Sequence, residues 1–157
     1  MNNNVPIDCP ICQKHRGERP LAGGIIFEND LILISHAQLF GDEKDHYLGH
    51  LFIETKRHVA GLAHLSEEEA AAIGIHTSRM AGALLHTLEM EHVYSFVIGD
   101  GAPHFHVHVI GRYVGAPREY WGSKVDDWPG APRGREPEMQ KVCDEIRKFI
   151  GENDSLS

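Results

Sequence analysis

The stretch that most constrains this chain is His104-Phe105-His106-Val107-His108-Val109-Ile110. Polar and apolar side chains alternate, the period-2 pattern of a strand with one face in a core. Alternate side chains stand roughly 6.6–6.8 Å apart and point the same way. The pattern therefore predicts three imidazoles on one face, with Phe105, Val107 and Val109 on the other. Each imidazole has two polar nitrogens, which an apolar core satisfies poorly. A row of three asks for a chemical use.

Imidazole offers more than one. A neutral ring attacks phosphorus and leaves again readily. Its other nitrogen must then be held as a donor, commonly by a backbone carbonyl. Neighbouring histidines can set positive charge against a developing anion. The preceding turn, Gly99-Asp100-Gly101, can present N–H groups to phosphate oxygens. A metal site stays open as well. His-x-His on a strand is a zinc-ligand pattern, and His36, His46 or His50 could complete it.

The remaining elements predict an α+β fold. Gly24–Glu28 and Leu31–Ile34 read as strands around a tight turn at Asn29-Asp30. Phe40–His46 reads as a charged loop and His50–Glu54 as a third strand. Ser66-Glu67-Glu68-Glu69 is a capping box opening one long helix over about 66–90. Ala70, Ile73, Thr77, Met80, Ala81, Leu84 and Leu88 form its apolar stripe. Val93–Ile98 and Phe105–Ile110 are the last two strands. Residues 115–135, rich in Gly, Pro and Trp, read as an extended arm that packs little. A closing helix over 136–151 carries Pro137 in its first turn and the stripe Met139, Val142, Ile146, Phe149 and Ile150. Cys143 beside that stripe reads as a packed thiol. The order predicts an antiparallel sheet of five strands with helices on one face. No Gly-rich turn follows the first strand, which argues against a dinucleotide-binding βαβ unit.

Length and charge narrow the function. A chain of 157 residues fits one domain, 1–157. A net charge of −8 disfavours non-specific nucleic-acid binding, so no nucleic-acid partner is expected. No apolar run reaches the ~20 residues of a membrane span, and no secretory leader pattern opens the chain. The expected compartment is the cytoplasm. Three cysteines give no disulfide framework. Cys9-Pro-Ile-Cys12, within residues 1–20, reads as half of a zinc knuckle or as two free thiols.

The seven residues from His104 to Ile110 resemble the motif of the histidine-triad proteins, His-φ-His-φ-His-φ-φ with φ apolar, at every position. The resemblance runs from Cys9 to about Tyr113. It implies a homodimer whose sheets join into one. It implies hydrolysis or transfer at the α-phosphate of AMP-linked nucleotides, phosphoramidates or dinucleoside polyphosphates, through a covalent nucleotidyl-His106. His108 would bind phosphate and orient His106. Gly99, Asp100, Gly101 and His50 would line the substrate site. It also implies a structural zinc on Cys9, Cys12, His58 and His104. Two other readings stand beside it: a hydrolase with zinc on the triad itself, and a non-catalytic nucleotide binder.

The sequence departs from the family pattern in three places. The turn before the triad lacks the Gln, Ser or Thr that relatives place near the leaving group. Gly111-Arg112 replaces a common Pro-Arg, predicting a looser hinge and a solvated arginine. His36 stands near the position of an aspartate that holds ribose. The arm residues Arg118, Tyr120, Trp121, Lys124 and Trp128 are expected either to cross to a second subunit's pocket or to fasten the dimer.

Overall fold

The structure is a computed structural model that describes residues 8–154. Its first hairpin joins β1 (Ile25–Glu28) to β2 (Ile32–His36). The Asn29 side-chain oxygen accepts from the N–H groups of Leu31 and Ile32, both at 2.9 Å, and so closes the turn locally. A short strand, β3 (His46–Tyr47), then precedes β4 (His50–Thr55).

The long helix α2 follows; a six-residue α1 (Pro10–His15) precedes the hairpin. α2 spans Glu67–Thr87, and both halves of its capping box are made. Such a cap stabilises a helix by about 1 kcal/mol. The apolar stripe buries Ile73, Met80, Ala83 and Leu84. Strand β5 (Met90–Phe96) starts only two residues past Leu88, so the helix ends earlier and the strand begins earlier than expected. Strand β6 (His106–Tyr113) closes the main sheet, with strand order β1-β2-β4-β6-β5 and every pairing antiparallel. The predicted α+β class and five-stranded sheet are therefore those observed.

Register assigns the two faces. Leu51 and Ile53 of β4 pair with Val109 and Val107 of β6, and these four face the helices. Phe52 and Glu54 pair with His108 and His106 and face the other way. The core thus sits between sheet and helices, while the histidines occupy the opposite face.

Several expectations need correction. The arm is packed: Val125 is fully buried, Trp128 lies against the core, and β7 (Arg133–Gly134) pairs with β3. The Leu48 N–H also donates to the Pro132 carbonyl at 3.0 Å. The loop before β4 therefore ends in a strand that the arm supplies with a partner. The closing helix α3 (Glu136–Asp154) runs through Gly151, which solvent exposure tolerates. Gly111 is not a hinge. It lies in β6 under Met90, whose side chain occupies the space of any Cβ, and its carbonyl accepts from the Tyr47 hydroxyl at 2.6 Å. Arg112 is not solvated either: it is buried, bonded to Glu91 and to the Tyr94 hydroxyl, and stacked 3.7 Å from the Trp121 ring centre.

Candidate active site and metal centre

The three histidines do not share one environment. His104 precedes β6, where the chain bends, and its ring turns toward the N-terminal segment. There α1 begins with Cys9 as its N-cap, and the Cys12 N–H points at the Cys9 sulfur at 3.5 Å. Pro10 fits the first turn, because its missing N–H is one that a helix start leaves unpaired anyway. The result is a tight knuckle whose two sulfurs face inward.

Those sulfurs meet two imidazoles. His104 Nδ1 lies 3.5 Å from Cys9 Sγ and 3.3 Å from Cys12 Sγ. His58 Nδ1 lies 3.3 Å from Cys12 Sγ and 3.1 Å from His104 Nδ1. All four donor atoms fall within 4.8 Å of one another. A tetrahedron with zinc bonds of 2.0–2.3 Å has edges of roughly 3.3–3.8 Å, and the separations of 3.1–3.5 Å among these sulfurs and nitrogens are near that size. On its outer side His104 Nε2–H donates to the Thr55 carbonyl at 2.6 Å. That bond fixes the tautomer with a lone pair on Nδ1, as metal-binding histidines usually require. Burial pushes His104 down to about 4, so the ring is neutral at ordinary pH. Burial and the neighbouring Cys9 push the Cys12 thiol up to about 11; a cation would supply the charge that turns such thiols into thiolates. Among the described residues this is the one grouping of three or more potential ligands that converges in this way. His106 and His108 are not part of it.

His106 begins β6 and is buried. Its Nδ1 donates to the His104 carbonyl at 2.7 Å. The ring is thereby held with its Nε2 lone pair directed away from the backbone. Beside it the rings of His106 and His108 have centroids 5.1 Å apart, and both contact Phe52 edge-on. Phe96 stacks on His108 at 4.9 Å from the other side.

His108 in turn leads outward along a file of histidines. Its Nδ1 lies 2.9 Å from His50 Nε2. His50 Nδ1 lies 3.4 Å from His46 Nε2, and His46 Nδ1 lies 3.3 Å from Glu43 Oε2. Burial, joined by the adjacent His106, pushes His108 down to about 4. Burial, then His46 and His108, holds His50 well below the ordinary histidine range. His50 is legible in the sequence as a candidate site residue, but its link to His46 and Glu43 in one chain is not. The i, i+4 spacing of His46 and His50 was visible, but the loop bend that brings their rings together was not.

A second buried charge group adjoins the triad. Glu54 lies beside His106 in the register and is fully buried. It is paired with the Lys14 ammonium and with His15 Nε2 at 2.9 Å. Burial alone would raise this carboxyl; the His15 hydrogen bond and the Lys14 charge overturn that and hold it low. The same short helix thus carries the cysteines of the knuckle and the partners of Glu54.

The other predicted residues fare less uniformly. Gly99, Asp100 and Gly101 form an open turn between β5 and β6, with Gly99 at φ +77°. None of the described hydrogen bonds ties that turn to the triad. His36 is fully buried, donates from Nδ1 to the Ala37 carbonyl at 2.8 Å and accepts at Nε2 from the Gly49 N–H at 3.1 Å. Both nitrogens are spent on the scaffold, so His36 is not placed to hold a ribose.

No protein-family model matches the sequence, and no curated protein matches it. Solved structures do resemble it. A Zn-bound histidine triad family protein from Mycobacterium smegmatis aligns over 96 % of this chain and 98 % of its own, with TM-score 0.70 at 19 % identity. A Hit-like protein from Bartonella henselae aligns over 90 % and 95 %, with TM-score 0.69 at 14 % identity. A hypothetical histidine triad nucleotide-binding protein from Sulfolobus tokodaii aligns over 92 % and 93 %, with TM-score 0.69 at 17 % identity. The chain has the histidine-triad fold.

Proposed function

We propose that this protein is a histidine-triad nucleotide hydrolase or nucleotidyl transferase that cleaves AMP-linked compounds at the α-phosphate through His106. The observation carrying this reading is the Nδ1–H bond from His106 to the His104 carbonyl, which leaves Nε2 as a free lone pair. In the proposed first step Nε2 bonds to phosphorus and the P–N or P–O bond to the leaving group breaks. In the second, water or another acceptor takes the nucleotidyl group and His106 is freed. His108 stands 5.1 Å away, ring to ring, within reach of the same phosphate. His50 sets the orientation of His108. The open Gly99-Asp100-Gly101 turn remains a candidate to close on phosphate oxygens.

Cys9, Cys12, His58 and His104 would hold a structural zinc. The ion would tie the N-terminal segment to the entry of β6 and fix the carbonyl on which His106 rests. A homodimer also belongs to this reading. β5 is an edge strand, and Val97, Ile98, Ile75 and Leu85 are exposed on β5's continuation and on α2. An unpaired edge flanked by apolar groups favours a second copy of the same surface.

The test is turnover of a panel of AMP-linked substrates by the native protein and by His106→Ala. Loss of turnover and of the trapped nucleotidyl adduct, with zinc retained, is expected. Turnover retained in the variant removes His106 from the chemistry. Loss of zinc in that variant moves the metal onto the triad. Nucleotide binding without turnover by the native protein leaves a binding protein.

A further inference from the structure

We propose that His46 and Glu43 are positioning residues at the outer end of a proton relay, through which His50 and His108 give a proton to the departing group and later take one from water. The inference rests on the nucleotide reading above and supplies what the turn before the triad lacks, a source for the leaving group's proton.

The distances define one continuous file: His108 Nδ1 to His50 Nε2 at 2.9 Å, His50 Nδ1 to His46 Nε2 at 3.4 Å, His46 Nδ1 to Glu43 Oε2 at 3.3 Å. Hydrogen bonds of catalytic groups are often long before substrate binds. His50 and His46 each use their two nitrogens for two different neighbours and His108 keeps Nε2 open, so the file has two consistent protonation states. In the neutral state each ring carries its proton on Nδ1: His108 donates to His50, His50 to His46, and His46 to the Glu43 carboxylate. His108 Nε2 is then a bare acceptor. In the charged state His46 carries both protons, His50 and His108 carry theirs on Nε2, and His108 Nε2–H is a donor. The two states differ by one proton.

The chemical steps use that difference. As His106 Nε2 bonds to phosphorus, the leaving group departs with the electron pair of its bond and takes the proton from His108 Nε2. The His50 Nε2 proton shifts to His108 Nδ1, the His46 Nε2 proton shifts to His50 Nδ1, and the file becomes neutral. When water attacks the nucleotidyl-histidine, its oxygen bonds to phosphorus, its proton goes to His108 Nε2, and the P–N pair returns to His106. The shifts reverse and the charge returns to His46.

Placement decides where that charge rests. His50 and His108 are held neutral by burial. His46 has 13 % of its side chain exposed and faces a carboxylate that is 42 % exposed. The groups around His46 are Glu43 from its own loop, the His36 ring of β2 at 6.0 Å, and His50 of β4. On the β7 side the Arg133 guanidinium is tied to Asp45 and the Arg135 guanidinium to the Lys44 carbonyl, while the Arg135 backbone N–H donates to the Glu138 carboxylate. Glu43 is itself fixed by the Phe40 N–H at 3.0 Å. Its negative charge is therefore directed at His46.

The test compares leaving groups. Release in a single turnover is measured for an adenosine phosphoramidate of an alkylamine, which must be protonated to leave, and for the p-nitrophenyl ester of AMP, which need not be. The His46→Gln variant is expected to lose about 10²-fold on the phosphoramidate and at least about tenfold less than that on the ester. Glu43→Gln is expected to lose less, and to move the alkaline limb of the phosphoramidate pH–rate profile to lower pH. Equal losses on both substrates, or an unmoved limb in Glu43→Gln, overturn the relay. No release from either substrate by the native protein overturns the nucleotide reading and the relay with it.

Discussion

At the entry to β6, His104 has both nitrogens engaged by fixed partners, Nδ1 toward two sulfurs and His58, Nε2 on the Thr55 carbonyl. Two residues on, His106 has one nitrogen fixed and one free; His108 is linked to groups that end near solvent. The residue type is the same and the positions are two apart. What differs is how many ring nitrogens the scaffold consumes. A ring with both nitrogens engaged has no lone pair left to attack with, whereas a ring closed on one side keeps one for bond formation.

That contrast can be broken at several points. The largest effect is expected at the open ring: His106→Ala should lower kcat by about 10⁴-fold or more, with little change in thermal stability and unchanged zinc content. A large drop in Tm would show His106 to be closed as well. At the other end, Cys12→Ser should release zinc and destabilise the fold by several kcal/mol, read by metal analysis and denaturant unfolding. A chelator should reproduce the loss in the native protein. If Cys12→Ser leaves the denaturant midpoint where it was, the closed end carries no structural metal.

Between the two ends lies Glu54, buried against Lys14 and His15 and in register with His106. Replacement by Gln leaves the Lys14 charge buried without its counter-ion and should cost about 3 kcal/mol in urea unfolding. A change under about 0.5 kcal/mol would mean that water already screens the pair.

His36 gives the smallest and sharpest check, because it is closed by backbone alone. Burial holds it down to about 4, while an unfolded histidine titrates near 6.5. The unfolded chain thus binds the extra proton between those values. His36 supports the native state fully above about pH 6.5, and that contribution of up to ~3 kcal/mol is lost as pH falls toward 4. His36→Gln should flatten the pH dependence of the unfolding midpoint by up to one proton in that window. An unchanged slope would show His36 to be solvated.

Legibility in the sequence was greatest where local rules act. The alternation at 104–110, the capping box at Ser66 and the Asn29 turn are all short-range, and each element formed near its expected place. It was weakest where distant segments meet. Neither the α1 helix at Pro10–His15 nor the pairing of β3 with β7 has a periodic signal, since six and two residues are too few for one. Arg112 looked solvated because its cover, Trp121, comes from an arm whose path no local rule sets. The same holds in the site. Cys9, Cys12, His58 and His104 could be named together only by resemblance, and Glu43–His46 emerged only once the loop's bend was known.

The β3–β7 pair has a consequence for how this protein can be divided. Every residue of the triad motif lies before Tyr113, so a fragment ending there would look complete by its motif. Yet residues 132–135 supply the partner of the loop that carries His46, through Leu48, Asp45 and Lys44. Motif and working unit are therefore different lengths of chain. Exchanging the tail between relatives would exchange part of what holds the His46 loop with it.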